Sequence, residues 1–123
     1  MKKVKLRLSS SSYDIEIGAG ILGQSGKKLA ECGFKDSAVI VTNPVVDTIY
    51  GDIIRLSLTT RGFRVNTLTV PDGERQKSLE TAGRLYQQLA DCYAERNTPI
   101  IALGGGVIGD LAGFVAATYL RGV

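Results

Sequence analysis

Three consecutive glycines, Gly104, Gly105 and Gly106, lie between two apolar runs in the segment IALGGGVIGDLAGF. Glycine loses more conformational freedom on folding than any other residue, so three together at one junction need a reason. The run before them predicts a strand that ends at Leu103, and the run after them predicts a helix. A strand, a glycine turn and a helix in this order are typical of folds built on a parallel sheet.

The rest of the chain alternates between strand and helix patterns with short connections. Residues 38–42 form a continuous apolar run, as in strands that are buried on both faces of a parallel sheet. Asn43 and Pro44 then predict a helix start, because Asn is a preferred N-cap and Pro suits the first helical position. Further strands are expected at 63–70 and 98–103, and helices at about 21–32, 44–61, 77–96 and 107–120. The helix at 77–96 is expected to bury one stripe, which comprises Leu79, Ala82, Leu85, Tyr86, Leu89, Ala90 and Tyr93.

Residues 4–8 and 13–17 alternate apolar with charged side chains, which predicts two half-exposed strands in a hairpin. The fold class predicted for the chain is therefore α/β, a Rossmann-like parallel sheet with helices on both faces, preceded by an N-terminal β-hairpin. Nothing in the sequence resembles a repeat or a linker, so residues 1–123 are expected to form one domain.

The composition excludes several classes of function. The net charge is +3, but Lys2, Lys3, Lys5 and Arg7 account for the excess, and nucleic-acid binding would need a larger basic cluster. No apolar run is long enough to span a membrane, and the N-terminus lacks the apolar region of a signal peptide. The sequence therefore favours a soluble, cytoplasmic protein without nucleic-acid or membrane partners.

Cys32 and Cys92 are far apart in sequence, and the chain contains no histidine. They can form neither a redox CxxC motif nor a zinc site. We expect both to be reduced and mostly buried thiols.

The segment 107–120 is apolar nearly all round, as only a helix covered on most sides can be. No strand follows it in the sequence to complete its cover. We therefore expect the chain to be a piece of a longer protein or to rely on a partner.

Gly104, Gly106 and Gly109 have the GxGxxG spacing, with a strand before them and a helix after them. Glycines in this position let backbone N–H groups approach a diphosphate, and the helix N-terminus favours its negative charge. The motif follows a late strand rather than the first, and the usual acidic ribose ligand would lie beyond residue 123. The alternative is a tight turn in which Gly109 and Gly113 allow close helix packing.

Polar residues near the same sheet edge are further candidates. Asp110 either interacts with the helix dipole or accepts hydrogen bonds from a neutral part of a ligand. Asn43 either caps its helix or also contacts a nucleoside. The loop from Asp72 to Lys77 is either a solvated turn or a cofactor contact.

Two segments carry a resemblance to a known family. PDGERQKSLE and IALGGGVIGDLAGFVAATYLRGV are similar to the N-terminal half of the 3-dehydroquinate synthases, most strongly from Val70 onward. The resemblance implies an NAD-dependent lyase that converts 3-deoxy-D-arabino-heptulosonate 7-phosphate to 3-dehydroquinate and phosphate in the shikimate pathway. It also implies a homodimer in the full-length protein.

The resemblance also implies roles for individual residues. The diphosphate and the nicotinamide side of NAD would be held by Gly104, Gly105, Gly106, Val107, Ile108, Gly109 and Asp110. The ribose of the adenosine would be contacted by Glu74 and Lys77, with Asp72, Gly73, Arg75 and Gln76 around them. Asn43 would contact the adenine end. Arg121 would reach the substrate phosphate across a dimer, or it is only a cation at a helix C-terminus.

The chain departs from the family pattern in lacking the C-terminal metal and substrate domain, where family members bind zinc through one glutamate and two histidines. Residues 1–123 are therefore expected to be an NAD-binding domain that is inactive alone. Three alternatives remain: another sugar-phosphate cyclase, a glycerol-dehydrogenase-like NAD enzyme, and a non-enzymatic module that only dimerises. The stretch from Val107 to Leu111 argues against the second.

Overall fold

A computed structural model describes residues 2–7 and 12–119. An antiparallel hairpin comes first, formed by β1 (Lys2–Arg7) and β2 (Ser12–Ile17). A 3₁₀ turn (Ile21–Gln24) leads into α1 (Ser25–Glu31), and β3 (Ser37–Thr42) follows. The remaining elements are α2 (Pro44–Val46), a π-helical turn (Asp47–Gly51), α3 (Asp52–Thr60), β4 (Arg64–Thr69), α4 (Leu79–Asp91), β5 (Ile100–Leu103) and α5 (Gly106–Thr118).

The three strands after the hairpin form a parallel sheet in the order β4-β3-β5, with helices on both faces. On one face Ala38 and Ile40 of β3 pack in a cluster with Ile54 and Leu58 of α3. On the other face Val39 and Val41 pack with residues of α4 and α5, among them Leu85, Leu89, Ile108, Leu111 and Val115. The predicted fold class is confirmed, because the continuous apolar run of β3 is buried on both sides.

Two glycines end helices as predicted. Gly33 follows α1 and Gly62 follows α3, and both adopt the left-handed conformation that glycine favours, with φ of 91° and 87°. In the described part of the chain no helix is long and apolar enough to cross a membrane.

The predicted helix at 77–96 is too long. The α-helix ends at Asp91, and the chain then reverses through Tyr93, whose φ is 59°. The N–H of Ala94 donates to the carbonyl of Leu89 and closes this end. The predicted stripe is correct only in its middle, since Leu79, Ala90 and Tyr93 are exposed.

The two cysteines are less buried than predicted. Cys32 is exposed because it lies at the C-terminal end of α1, past Leu29, which packs against the core, and Cys92 is half-buried after α4. Phe114 on α5 is 47% exposed, so the described chain leaves one side of this apolar helix open to solvent.

Candidate functional site

The predicted segments converge at the carboxyl edge of the sheet. Thr42 and Leu103 are paired residues at the ends of β3 and β5, and the Thr42 hydroxyl donates to the Leu103 carbonyl at 2.7 Å. The helices that follow these two strands lie on opposite faces of the sheet. A place where the helices after two adjacent strands leave on opposite faces is called a topological switch point. It opens a crevice between the two strand ends, and open α/β sheets bind ligands in such crevices.

A depression of about 200 Å³ occupies this edge. Its walls combine three chain segments that the sequence marked separately, namely Asn43, Pro71, Asp72, Gly73, Gly105, Gly106, Val107 and Ile108. Pro71 begins the segment PDGERQKSLE but was not among the predicted site residues, although its place just after the end of β4 is a signal that could have found it. A larger hollow of about 310 Å³ lies along α5 and is lined by the predicted residues Lys77 and Asp110. Another of about 490 Å³ lies at the opposite, amino edge and contains none of the predicted site residues.

Asn43 is held by its helix. Its Oδ1 accepts a hydrogen bond from the N–H of Val46 at 2.8 Å, and the residue is 7% exposed. The predicted cap is therefore confirmed, with Pro44 at the first helical position. Because the amide oxygen is used by the helix, a ligand would meet the Nδ2 donor.

The fold requires one glycine of the corner but not the others. Gly104 has φ of 155°, and a Cβ on it would lie 3.0 Å from the Ile108 side chain, so the fold itself needs this glycine. A Cβ on Gly105, Gly106 or Gly109 would meet no heavy atom within 4 Å. The same holds for Gly113, so the described chain gives no support to the close-packing alternative for this pair.

The N-terminus of α5 points its free donors into the same space. Gly105 is the N-cap residue and has no side chain that could accept hydrogen bonds from the first turn. The first helical N–H groups of any α-helix lack intrahelical partners, and they carry the positive end of the helix dipole. Unpaired backbone N–H groups beside glycines that border empty space therefore form a surface suited to a diphosphate.

An ion pair connects the charged loop to α5. Lys77 Nζ lies 2.8 Å from a carboxylate oxygen of Asp110 and 3.6 Å from one of Glu74. The hydrogen bond that Lys77 donates to Asp110, aided by the negative charges of Asp110 and Glu74, raises the pKa of Lys77 above its ordinary value. Lys77 therefore offsets the negative charge of Asp110, which would otherwise repel an anion at the helix start.

The other predicted residues of the loop lie apart from this cluster. Gln76 is directed at α4, because its Oε1 accepts from the Thr81 hydroxyl at 3.2 Å and from Arg84 at 3.5 Å. Arg75 is exposed. Arg121 lies outside the described residues. Among the described residues no group of three or more His, Cys, Asp or Glu side chains could hold a metal ion.

Sequence comparisons identify relatives of the chain. Residues 67–123 match the family model described as 3-dehydroquinate synthase N-terminal. The chain is 45% identical to the 3-dehydroquinate synthase of Citrifermentans bemidjiense over 99% of its own length and 34% of that protein. It is 47% identical to the enzyme of Dehalococcoides mccartyi over 100% of its length and 34% of that protein. The chain thus spans about a third of the length of the curated relatives it matches.

Solved structures share the fold. A 2-deoxy-scyllo-inosose synthase superposes with a TM-score of 0.87 at 22% identity, over 99% of this chain and 34% of that one. The same kind of enzyme, solved with carbaglucose-6-phosphate, NAD⁺ and Co²⁺, gives the same score over 99% of this chain and 33% of that one. Glycerol dehydrogenase from Schizosaccharomyces pombe has a TM-score of 0.66 at 26% identity, over 81% of this chain and 24% of that one.

Proposed function

The chain belongs to the 3-dehydroquinate synthase family, and on that premise we propose that residues 1–123 are the NAD-binding domain of such an enzyme. The observation that carries the proposal is the corner at 104–109. Three glycines there border open space beside an uncapped helix N-terminus, at the switch point of the sheet. Packing within the chain would tolerate a side chain at each of these three glycines, because a Cβ there meets no neighbouring atom. A diphosphate bound at the corner would need this space to stay empty.

The residues present fit NAD. The N–H groups of the first turn of α5 would donate to the diphosphate, and the Nδ2 of Asn43 would contact the adenine end. Glu74 would accept hydrogen bonds from ribose hydroxyls, since its side chain is 78% exposed beside Lys77. Asp110, held by Lys77, would face the nicotinamide side. When bound, NAD supplies a reversible hydride acceptor, and the chain's contribution is to bind and orient it.

The reaction of the whole protein extends the proposal. We assign it the conversion of 3-deoxy-D-arabino-heptulosonate 7-phosphate to 3-dehydroquinate and phosphate, in the cytoplasm and within the shikimate pathway. The relatives are about three times as long as this chain, and the 123 residues include no histidine. The zinc ligands would therefore lie in a C-terminal domain, and Arg121 would contact the substrate phosphate across a homodimer. Residues 1–123 alone would show no turnover with substrate, NAD and zinc.

The similarity in fold supports a second candidate function. A different sugar-phosphate cyclase would share this domain, as the TM-score of 0.87 with 2-deoxy-scyllo-inosose synthase indicates. Sequence identity separates the two, because it is 22% to that enzyme and 45% to 3-dehydroquinate synthase. A substrate panel on the full-length protein would decide between them.

Isothermal titration calorimetry tests cofactor binding by the chain directly. NAD and ADP should both bind saturably, because each carries a diphosphate, and adenosine should bind far more weakly. A module that serves only for packing would give no heat with any of the three. Equal affinity for adenosine and ADP would contradict the assignment of the glycine corner to the diphosphate.

A further inference from the structure

A polar hollow of about 490 Å³ lies at the amino edge of the sheet. We call it the amino-edge hollow. Its walls come from the three segments that lead into β3, β4 and β5, namely Lys35, Asp36, Ser37, Gly62, Arg64, Tyr93, Glu95 and Asn97. Binding sites for small molecules in proteins commonly enclose roughly 300–1,000 Å³. The amino-edge hollow is therefore large enough for a small organic molecule.

Backbone hydrogen bonds hold the walls of the amino-edge hollow in place. The N–H of Arg64 donates to the carbonyl of Asp36 at 2.7 Å, which joins the start of β4 to the segment before β3. The N–H of Glu95 donates to the hydroxyl of Thr98 at 2.9 Å, and Thr98 is only 5% exposed. Walls that are already fixed lose little entropy when a ligand binds, which favours association.

Two residues of the hollow have an unusual backbone conformation. Asp36 has φ of 81° and Tyr93 has φ of 59°, and no other non-glycine residue in the described part of the chain has a positive φ. This conformation is unfavourable for a residue with a Cβ, and residues held in it cluster at ligand sites. The side chain of Tyr93 is 87% exposed, so packing within the chain offsets little of the cost. A ligand that contacts the ring would account for a tyrosine at this position.

The charged side chains of the hollow carry both signs and do not neutralise one another. Lys35 and Arg64 are positive, and Asp36 and Glu95 are negative. Within residues 2–7 and 12–119 none of these four side chains takes part in an ion pair. The two carboxylates would repel a polyphosphate, and the two basic groups would repel a bare cation. A ligand with one ammonium group and one carboxylate complements both signs.

We propose that the amino-edge hollow binds a zwitterionic α-amino acid with an aromatic side chain. The carboxylate of the ligand would pair with Arg64, because a guanidinium can donate two parallel hydrogen bonds to a carboxylate. The ammonium group would pair with Glu95, which lies two residues after Tyr93 on the same segment. The aromatic ring of the ligand would stack on the exposed ring of Tyr93.

This site is separate from the proposed cofactor site. The amino-edge hollow and the depression at the glycine corner lie at opposite edges of the sheet, and no residue lines both. Binding of an amino acid and binding of NAD can therefore be measured independently, and failure of one leaves the other standing.

Titration of ¹⁵N-labelled chain with L-phenylalanine, followed by NMR, tests the proposal. Saturable shift changes should be largest at the backbone amides of Ser37, Arg64 and Glu95. Two related compounds test the need for both charges, since hydrocinnamate lacks the ammonium group and phenethylamine lacks the carboxylate. Each should bind about tenfold more weakly than L-phenylalanine, because each loses one hydrogen-bonded charge pair.

Two variants then assign the charges to side chains. Arg64→Gln should weaken binding of L-phenylalanine about tenfold and leave the affinity for phenethylamine unchanged, which also shows that the variant is folded. Glu95→Gln should weaken L-phenylalanine by a similar factor and leave hydrocinnamate unchanged. Arg96→Gln is the matched control, because Arg96 is exposed and does not line the hollow, and it should bind like the unmodified chain.

Three results would overturn the proposal. The first is the absence of saturable shift changes at every concentration that L-phenylalanine reaches in solution. The second is equal affinity for L-phenylalanine, hydrocinnamate and phenethylamine. The third is binding of L-phenylalanine that Arg64→Gln and Glu95→Gln both leave unchanged.

Discussion

Replacement of Gly109 by alanine should separate the stability of the fold from its capacity to bind a cofactor. Gly109 is the fourth residue of α5, and a Cβ there meets no heavy atom within 4 Å. Alanine is more favourable than glycine inside a helix by about 0.8–1 kcal/mol. The free energy of unfolding should therefore rise by about 1 kcal/mol, with an increase of about 3–5 °C in Tm for a domain of this size.

The same methyl group should impair NAD binding. The N–H of Gly109 donates to the carbonyl of Gly105, so the methyl group would lie next to the corner that is proposed to hold the diphosphate. Forcing an extra methyl group against a bound ligand costs about 1–3 kcal/mol. The dissociation constant for NAD, measured by calorimetry, should rise by roughly 5- to 150-fold. A protein that is more stable and yet binds more weakly is the expected signature.

Gly113→Ala provides the matched control. Gly113 lies one turn further along the same helix from that corner, and its Cβ would also meet open space. It should stabilise the chain by a similar amount and leave NAD affinity unchanged. Equal NAD affinity of the two variants would refute the reasoning, as would a loss of stability in Gly109→Ala.

Three further outcomes follow from the structure. Gly104→Ala should lower the free energy of unfolding by about 1–3 kcal/mol in urea titrations, because it combines an unfavourable φ with a 3.0 Å contact to Ile108. Tyr93→Gly should raise it by about 0.5–1 kcal/mol in the same assay, since a left-handed tyrosine is strained and its side chain is 87% exposed; a decrease would show that the ring contributes more than the strain costs. Burial raises the pKa of the Cys92 thiol, so iodoacetamide should modify Cys92 more slowly than exposed Cys32 at neutral pH, as mass spectrometry can verify; equal rates would contradict this.

Local patterns in the sequence predicted most of the fold. Asn43 and Pro44 marked a helix start, and the hydrogen bond from Val46 to Asn43 shows why, since a short polar side chain satisfies a free N–H there. Gly33 and Gly62 marked helix ends because they alone tolerate the left-handed conformation at low cost. Each of these signals depends on a residue and its immediate neighbours.

Features that depend on tertiary context were not predicted. Tyr93 ends α4 in a conformation that its identity does not suggest, so periodicity carried the predicted helix to residue 96. Leu79 fits the apolar stripe by spacing, but it is the first residue of α4 and is 79% exposed, and burial on this helix begins only at Thr81 and Ala82. The sequence likewise cannot tell Gly104, which Ile108 requires, from Gly105 and Gly106, which border open space.

The free backbone amides at 105–108 are proposed to hold the diphosphate of NAD. Titration of ¹⁵N-labelled protein with NAD, followed by NMR, tests it most directly. Saturable shift changes should be largest at the amides of Gly105, Gly106, Val107 and Ile108, with smaller ones at the side-chain amide of Asn43. Changes confined to the amino edge of the sheet, or unchanged amides in this turn at saturating NAD, would contradict it.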